Sequence, residues 1–548
     1  MVPTLIRQLC ADKENRESDI IIFTSTEIDE VRRSLRSYLT AQEEKRLIFI
    51  FGKQTSQEDL EKCYIHKAKK IYLLGESEQY DHDALSIEAL KQIAHICAQH
   101  KRAEPITCET LIAYQTTYAL FKMNGLTKEI NDHVIFAPFC FEESWAYRTF
   151  VSGKYSSVDG VNIDYKPLDR EPITANSEKY VHLVIIGISK IGVALAKQAA
   201  LVAHYPNFIT KGIRTKITMI DINAYQEMLY LVGANEELYN ESSYTYQNIE
   251  NGQVVGEEQN LEIKNGTKQS YLGVEWEFIE CRVECQQCQQ LLKEWSIDDK
   301  QVLTVASCIN FSPSSIAVGL YLPRELYESP NNVEILVNQQ TTASIIGILE
   351  VEKYRNVRPF GMLDICYDLG YSSIYNQAKM VNYIYTYCYD TKGGVPDAMC
   401  DQATLDKHWL KLKPAKQWSN IYNACTVPTK LRSFGLDKLP QSEWALSESD
   451  YDLLAEMEHN RWNVEELFLA YRVPTPSERA LIESDPAQYK DYYKTLFVHN
   501  DIRPFAQLTP DGSGLPVRRY DYAIVKSLKL LAPPNPPKAE SREVSDLV

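Results

Sequence analysis

The sequence predicts an α/β fold, with tandem Rossmann-like parallel-sheet domains followed by a mainly helical C-terminal domain. Three observations predict it. Short apolar runs alternate with amphipathic stretches over residues 1–125, the alternation returns over 180–350, and from Val357 aromatic-rich helical patterns take over. A chain of 548 residues is too long for one core, since domains hold roughly 100–200 residues each.

The first unit, 1–125, has apolar runs at 19–24 (DIIIFT), 46–52 (RLIFIFG), 70–75 (KIYLLG) and 105–110 (PITCET), with a helical pattern at 83–98 between the last two. Residues 2–10 (VPTLIRQLC) read as a helix, so this Rossmann-like unit lacks its first strand. A truncation, with that strand encoded upstream, and a domain that never had it both account for this. Residues 126–179 form a mixed connector.

The second unit, 180–350, opens with a strand at 182–187 (HLVIIG), a helix at 189–204 and a strand ending in KITMID at Asp221. A Tyr/Asn/Glu-rich insertion at 225–272 interrupts it as an expected surface excursion. The pattern resumes with EWEFIE, VLTVAS and VEILVN. Two similar halves suggest duplication. A helical linker at 351–446 follows, then a compact domain at 447–532 and a tail at 533–548 expected to be disordered.

A formal net charge of −16 argues against nucleic acid or an anionic membrane as partner, because a polyanion is repelled. Thirteen cysteines, scattered through a chain with no signal-peptide pattern, fit reduced thiols in a cytoplasmic protein. The most apolar stretch, 183–203, is broken by Lys190 and Lys197; none reaches the ~20 apolar residues of a membrane helix.

Gly187, Ile188, Ser189, Lys190, Ile191 and Gly192 follow a strand and open a helix, the context a dinucleotide fingerprint requires. The first glycine permits the tight turn, the last permits close helix–strand packing, and the helix start offers amides to a phosphate. Ser189 stands where the fingerprint has a middle glycine; it narrows the approach and brings a hydroxyl donor. Asp221 ends the next strand, where a carboxylate accepts from ribose hydroxyls. Ser307, ending the fourth strand, is expected to face the same crevice. These eight residues are the candidate cofactor-binding set, for NAD(H) or another adenine nucleotide. In the first unit the matching position after DIIIFT is Ser25, without a glycine turn.

No catalytic residue and no metal site is assigned. A hydride-transfer enzyme needs an acid/base group beside the nicotinamide, and His182 and His204 read as packing or surface residues. The segment Cys281-x3-Cys285-x2-Cys288 has cluster-like spacing, but positions i, i+4 and i+7 read as one helix face that packs.

The stretches HLVIIGISKIGVALAKQAA with MID, and KKIYLLGESEQYDHDALSIEAL in the first unit, resemble the cytosolic regulator-of-potassium-conductance (RCK) and Trk-type potassium-uptake regulator family. The resemblance covers most of 1–350. It implies paired nucleotide-binding lobes, a homo-oligomer and a potassium channel or transporter pore as partner.

In the last domain, Ser447 to Asp450 make a capping box, and Leu453, Met457, Val464, Leu467 and Tyr471 follow helical spacing as core. AEMEHNRW (455–462), HNDIRPF (499–505) and RRYDYAIVKSLKLL (518–531) resemble the ryanodine receptor repeat (RyR) domain. His459, Trp462, His499 and Arg503 either frame a ligand pocket offering stacking and anion contacts or pack two helices together. The leading expectation is a cytosolic nucleotide-sensing regulator, not an enzyme. An NAD(P)-dependent oxidoreductase and a non-catalytic interaction scaffold are the alternatives.

Overall fold

The computed structural model describes residues 2–15, 18–75, 81–157, 160–249, 270–341, 347, 351–363, 371–485, 496–511 and 513–532. The tail 533–548 and the centre of the 225–272 insertion lie outside the described residues.

The first unit begins with helix α1 (Val2–Ala11), then carries strands β1 (Ile20–Thr24), β2 (Leu47–Phe51), β3 (Lys70–Leu73), β4 (Ile106–Leu111) and β5 (Val134–Phe139). Helix α2 (His82–Gln99) crosses from β3 to β4, and α3 (Gln115–Asn124) from β4 to β5. All pairings are parallel, in two separate sheets, β1-β2 and β3-β4-β5. The β5 strand falls in what the sequence reads as connector, so the first unit reaches Phe139 rather than residue 125. Its proline at position 138 sits on an edge strand, where a missing ladder donor is tolerated.

A hairpin of β6 (Lys154–Ser156) and β7 (Asn162–Asp164) leads into the second unit. There β8 (Tyr180–Ile186), β9 (Thr215–Asp221), β10 (Ser243–Asn248), β11 (Val274–Glu280), β12 (Gln301–Ser307), β13 (Glu334–Asn338) and β14 (Val357–Phe360) form one parallel sheet. The order is β10-β11-β9-β8-β12-β13-β14. Without the edge strand β10 this is the doubly wound order, with β8 as first strand and the reversal of direction between β8 and β12. Taken in strand order, β2-β1 and β3-β4-β5 match β11-β9 and β12-β13-β14, and no strand among the described residues of the first unit matches β8. Helix Ala224–Ala234 and β10 also correct the expected excursion: the first half of the 225–272 segment, up to Asn248, carries regular structure, with β10 paired at the sheet edge.

β8, β11, β12 and β13 are rich in Val, Ile, Leu and aromatic residues because helices cover both sheet faces. Helix α4 (Lys190–Val202) lies on one face; α5 (Gln286–Ile297) and α6 (Ser312–Leu320) contribute to the other. Burying one such Val or Leu side chain is worth about 1.5–3 kcal/mol.

The C-terminal part is helical: α7 (Tyr371–Asp390), α8 (Pro414–Ser433), α9 (Glu448–Phe468) and α10 (Arg519–Lys526). Its core is continuous with that of the second sheet, since Leu195, Phe278, Leu454 and Ile524 belong to one apolar cluster. Bidentate pairing of Arg432 with Asp169, at 2.9 and 2.6 Å, ties α8 to the connector. The buried Lys122 ties α3 to α8: its ammonium bonds the Tyr422 hydroxyl at 2.8 Å and the Glu143 carboxylate, 4.4 Å over the rings of Tyr118 and Trp418.

Candidate functional site

The carboxyl edge of the second sheet brings the glycine turn and Asp221 together. Gly187 has φ +93°, a backbone conformation L side chains rarely adopt, and a Cβ there would stand 3.1 Å from the Ile309 amide nitrogen. A Cβ on Gly192 would stand 2.7 Å from the Gly187 carbonyl oxygen, so this position holds helix and strand in close contact.

Asp221 reaches across to the turn. Its Oδ2 accepts the Ile188 amide at 2.8 Å and its Oδ1 accepts the Asn223 amide at 3.0 Å. Each oxygen keeps a further lone-pair site for a ribose hydroxyl. Ser189 caps α4: its Oγ accepts the Gly192 amide at 3.4 Å and donates to the Cys308 carbonyl at 2.5 Å. The expected hydroxyl donor to a ligand is therefore spent on the protein. Among the described residues the amides of Ser189, Lys190 and Ile191 have no hydrogen-bond acceptor, as befits the first turn of a helix. The side chains of Ile188 and Ile191 are buried.

Ser307 does not face the crevice. Its hydroxyl is buried and bonds the Ser315 carbonyl at 3.1 Å and hydroxyl at 3.0 Å, fastening α6 to β12. The expected role fails because the hydroxyl is buried and donates its proton to the carbonyl of Ser315, one helical turn into α6.

The first unit covers the start of α4. Lys190 Nζ donates to the Ala113 carbonyl at 3.1 Å and lies 4.7 Å over the Tyr114 ring, while Gln115 Nε2 donates to the Lys190 carbonyl at 2.8 Å. That loop is set by Asp83, whose carboxylate accepts the amides of Ala113 at 2.7 Å and Tyr114 at 3.2 Å. His82 stands behind it, Nδ1 3.0 Å from Asp83 Oδ1 and Nε2 3.0 Å from the Leu74 carbonyl. Both partners are acceptors, so this setting favours the doubly protonated, cationic imidazole. The bond to Asp83 accordingly raises the His82 pKa above its ordinary value. Burial pushes the Asp83 carboxyl up, but His82 and the two amides outweigh it and leave it low. Sequence reading missed this pair; the adjacency HD at a helix start, opposite a glycine turn, was its only local signal.

His182 and His204 are buried packing groups. His182 places its nitrogens 2.6 Å from Gln301 Oε1 and 2.8 Å from Thr218 Oγ1, and His204 Nε2 lies 2.9 Å from the Ala200 carbonyl. Burial pushes each down to about 3.

In the C-terminal part His459, Trp462, His499 and Arg503 do come together. Trp462 stacks on His459 at 5.5 Å and meets the edge of His499 at 4.8 Å. His459 Nε2 and Asn463 Nδ2 both approach the Arg503 carbonyl, at 2.9 and 3.0 Å. The Arg503 guanidinium donates to the carbonyls of Asn500 at 2.6 Å and Gln507 at 3.2 Å, so these contacts pack the 499–507 segment onto α9. Desolvation holds His459 at about 4.

Beneath this group lies an ion network that the apolar stripe of α9 did not announce. Glu458 accepts from Arg461 Nη2 at 2.7 Å, Lys430 Nζ at 2.7 Å and Asn423 Nδ2 at 2.7 Å, and Arg461 also bonds Glu465. All five side chains are buried. Desolvation opposes the Glu458 charge, but Arg461 and Lys430 outweigh it and hold its carboxyl at about 2.

The fold and this edge define a tandem Rossmann-type protein with a glycine turn that a loop of the first unit touches. Residues 2–107 match the family model described as the calcium-activated potassium channel slowpoke-like RCK domain. Most of the first unit is thus similar to the RCK domain of a calcium-activated potassium channel. Among solved structures, GsuK bound to ADP aligns at 13% identity and TM-score 0.30, over 65% of this chain and 62% of that one. The GsuK RCK domain aligns at 11% identity and TM-score 0.28, over 65% and 71%. The chain thus spans 62% of the first structure's length. No curated protein matches the sequence. No helix among the described residues is long and apolar enough to cross a membrane.

Proposed function

We propose that the chain is a cytoplasmic, non-catalytic regulator of a potassium channel or transporter, acting as a homo-oligomer. Its second unit binds an adenine nucleotide at the start of α4. The observation that carries this reading is the placement of the glycine turn, with open amides at Ser189–Ile191 and Asp221 across the crevice, directly against the Ala113–Gln115 loop of the RCK-like unit. A phosphate at those amides meets the positive end of the α4 dipole, and Asp221 retains acceptor capacity for the ribose. NAD(H) and ADP share these two elements.

Because Lys190 and Gln115 bridge the units at the same turn, a ligand there has a different affinity for bridged and separated arrangements. That difference is what lets occupancy shift the arrangement. Residues 447–532 are proposed to be an RyR-type domain that receives or adds a second signal; its core, shared with the second sheet, supports mechanical coupling between them.

Calorimetric titration of the full chain with ADP, ATP, NAD+ and NADH tests the reading. Saturable binding of at least one, lost in Gly187→Glu without loss of helical signal, is expected. The absence of binding by all four overturns it.

A further inference from the structure

The segment Cys281 to Cys288 is not the single helix face its spacing suggests. Helix α5 starts only at Gln286, so Cys281 lies just past the end of β11, Cys285 is the N-cap and Cys288 stands in the first turn. A tight turn, in which the Cys285 amide donates to the Arg282 carbonyl at 3.0 Å, folds Cys285 back towards the strand end. That fold turns the Cys285 thiol towards Cys281, which acts on it both as a nearby charge and as a side-chain hydrogen-bond partner and so adds to burial in raising its pKa. Cys285 Sγ also accepts the Cys288 amide at 3.4 Å.

The two sulfurs differ in access. Cys285 is partly exposed, between the exposed Arg282, Glu284 and Gln286, whereas Cys281 is buried. The amide at the helix start stabilises a thiolate on Cys285, although burial and the neighbouring Cys281 keep its thiol protonated at neutral pH. Cys288 is buried against Leu292 and Val283 in the apolar cluster and offers its amide, not its sulfur, to the pair.

We propose that Cys281 and Cys285 form a redox-responsive dithiol, closed to an intramolecular disulfide by a peroxide. The Cys285 thiolate attacks a peroxide oxygen, the O–O bond breaks, and the departing hydroxide takes a proton to leave as water, giving a sulfenic acid on Cys285. The Cys281 sulfur then attacks the Cys285 sulfur; the S–O bond breaks, the S–S bond forms, and the second water leaves with the Cys281 proton. The two thiols lose two electrons and two protons in total, and hydrogen peroxide is reduced to two waters. The cross-link forms one peptide beyond β11, where the Cys281 amide donates to the Asp221 carbonyl at 3.1 Å. The inference is independent of any nucleotide at the turn.

The test treats the full chain with hydrogen peroxide, alkylates remaining thiols with iodoacetamide, and maps peptides by mass spectrometry. Trypsin cuts after Arg282, so a 281–285 disulfide appears as two cross-linked peptides that separate on reduction. Cys288→Ser is expected to close at a rate within about twofold of the parent, faster at higher pH because the thiolate is the attacking form. Cys281→Ser is expected to stop at the sulfenic acid, trapped on Cys285 by dimedone. Full alkylation of all three cysteines after peroxide, a 285–288 linkage, or dimedone labelling of Cys281 in place of Cys285 overturns the proposal.

Discussion

The Asp221 carboxylate accepts the Ile188 amide at 2.8 Å, so the acid that ends β9 is also the group that holds the glycine turn in shape. This contact spans two strands and 33 positions of sequence. It makes the turn's geometry depend on a charge that a ribose also approaches.

Asp221→Asn separates these roles. The amide keeps one acceptor oxygen and loses the charge, so the Ile188 and Asn223 amides no longer both find a carboxylate. The expected loss is about 1–2 kcal/mol of stability, from charge-assisted bonds worth roughly 1.5–3 kcal/mol each. Nucleotide affinity is expected to fall at least tenfold. Urea denaturation and calorimetry measure the two effects, and unchanged affinity would remove Asp221 from the site.

Asp83→Ala releases the Ala113 and Tyr114 amides and takes the partner from His82. Hydrogen exchange at those two amides is expected to accelerate at least tenfold, with little change in the second sheet. The pH dependence has a definite sign. Because His82 is raised above 6.5 in the fold, its contribution is fully present below about pH 6.5 and fades as pH climbs through the folded value. Protection at Ala113 and Tyr114 is therefore expected to weaken on the alkaline side, and protection that grows there would contradict a cationic His82.

Acid acts on the buried core. His182 and His204, at about 3, and His459, at about 4, stay neutral in the fold, whereas their unfolded value is 6.5. The unfolded chain thus binds more protons below that value. Stability is expected to drop by about 1.4 kcal/mol per pH unit for each such histidine. Glu458, held at about 2, adds a loss that starts near its ordinary 4.5 and continues as pH falls. Urea midpoints at pH 7, 6 and 5 check the trend; a flat profile would contradict these burials.

Arg461→Ala is expected to be severe. It leaves Glu458 and Glu465 as buried carboxylates with Lys430 as the main remaining counter-charge, and breaking one partner of such a network costs about 3–5 kcal/mol. Trp462→Ala, by contrast, removes stacking on His459 and His499, with an expected cost of about 3 kcal/mol. Thermal denaturation ranks the two, and a near-neutral Trp462→Ala would favour a ligand role for that ring over packing.

Features controlled by short-range chemistry are readable from residue order alone. The run at β8, the glycine turn, the Ser189 cap and the acid ending β9 are legible because each depends on neighbours within a few residues. The capping box at Ser447 and Asp450 is legible for the same reason. Strand β5 was lost because a proline and an exposed Ile135 blur its pattern on an edge. It takes the folded chain to show that the Ser189 and Ser307 hydroxyls are used internally, and that a loop from the first unit rests on Lys190. The fold also shows that the charged residues of α9 are interior and that Cys285 turns towards Cys281. In each case the deciding partner is brought up by the fold, and a hydrogen bond or desolvated charge is set by distance in space rather than by position along the chain.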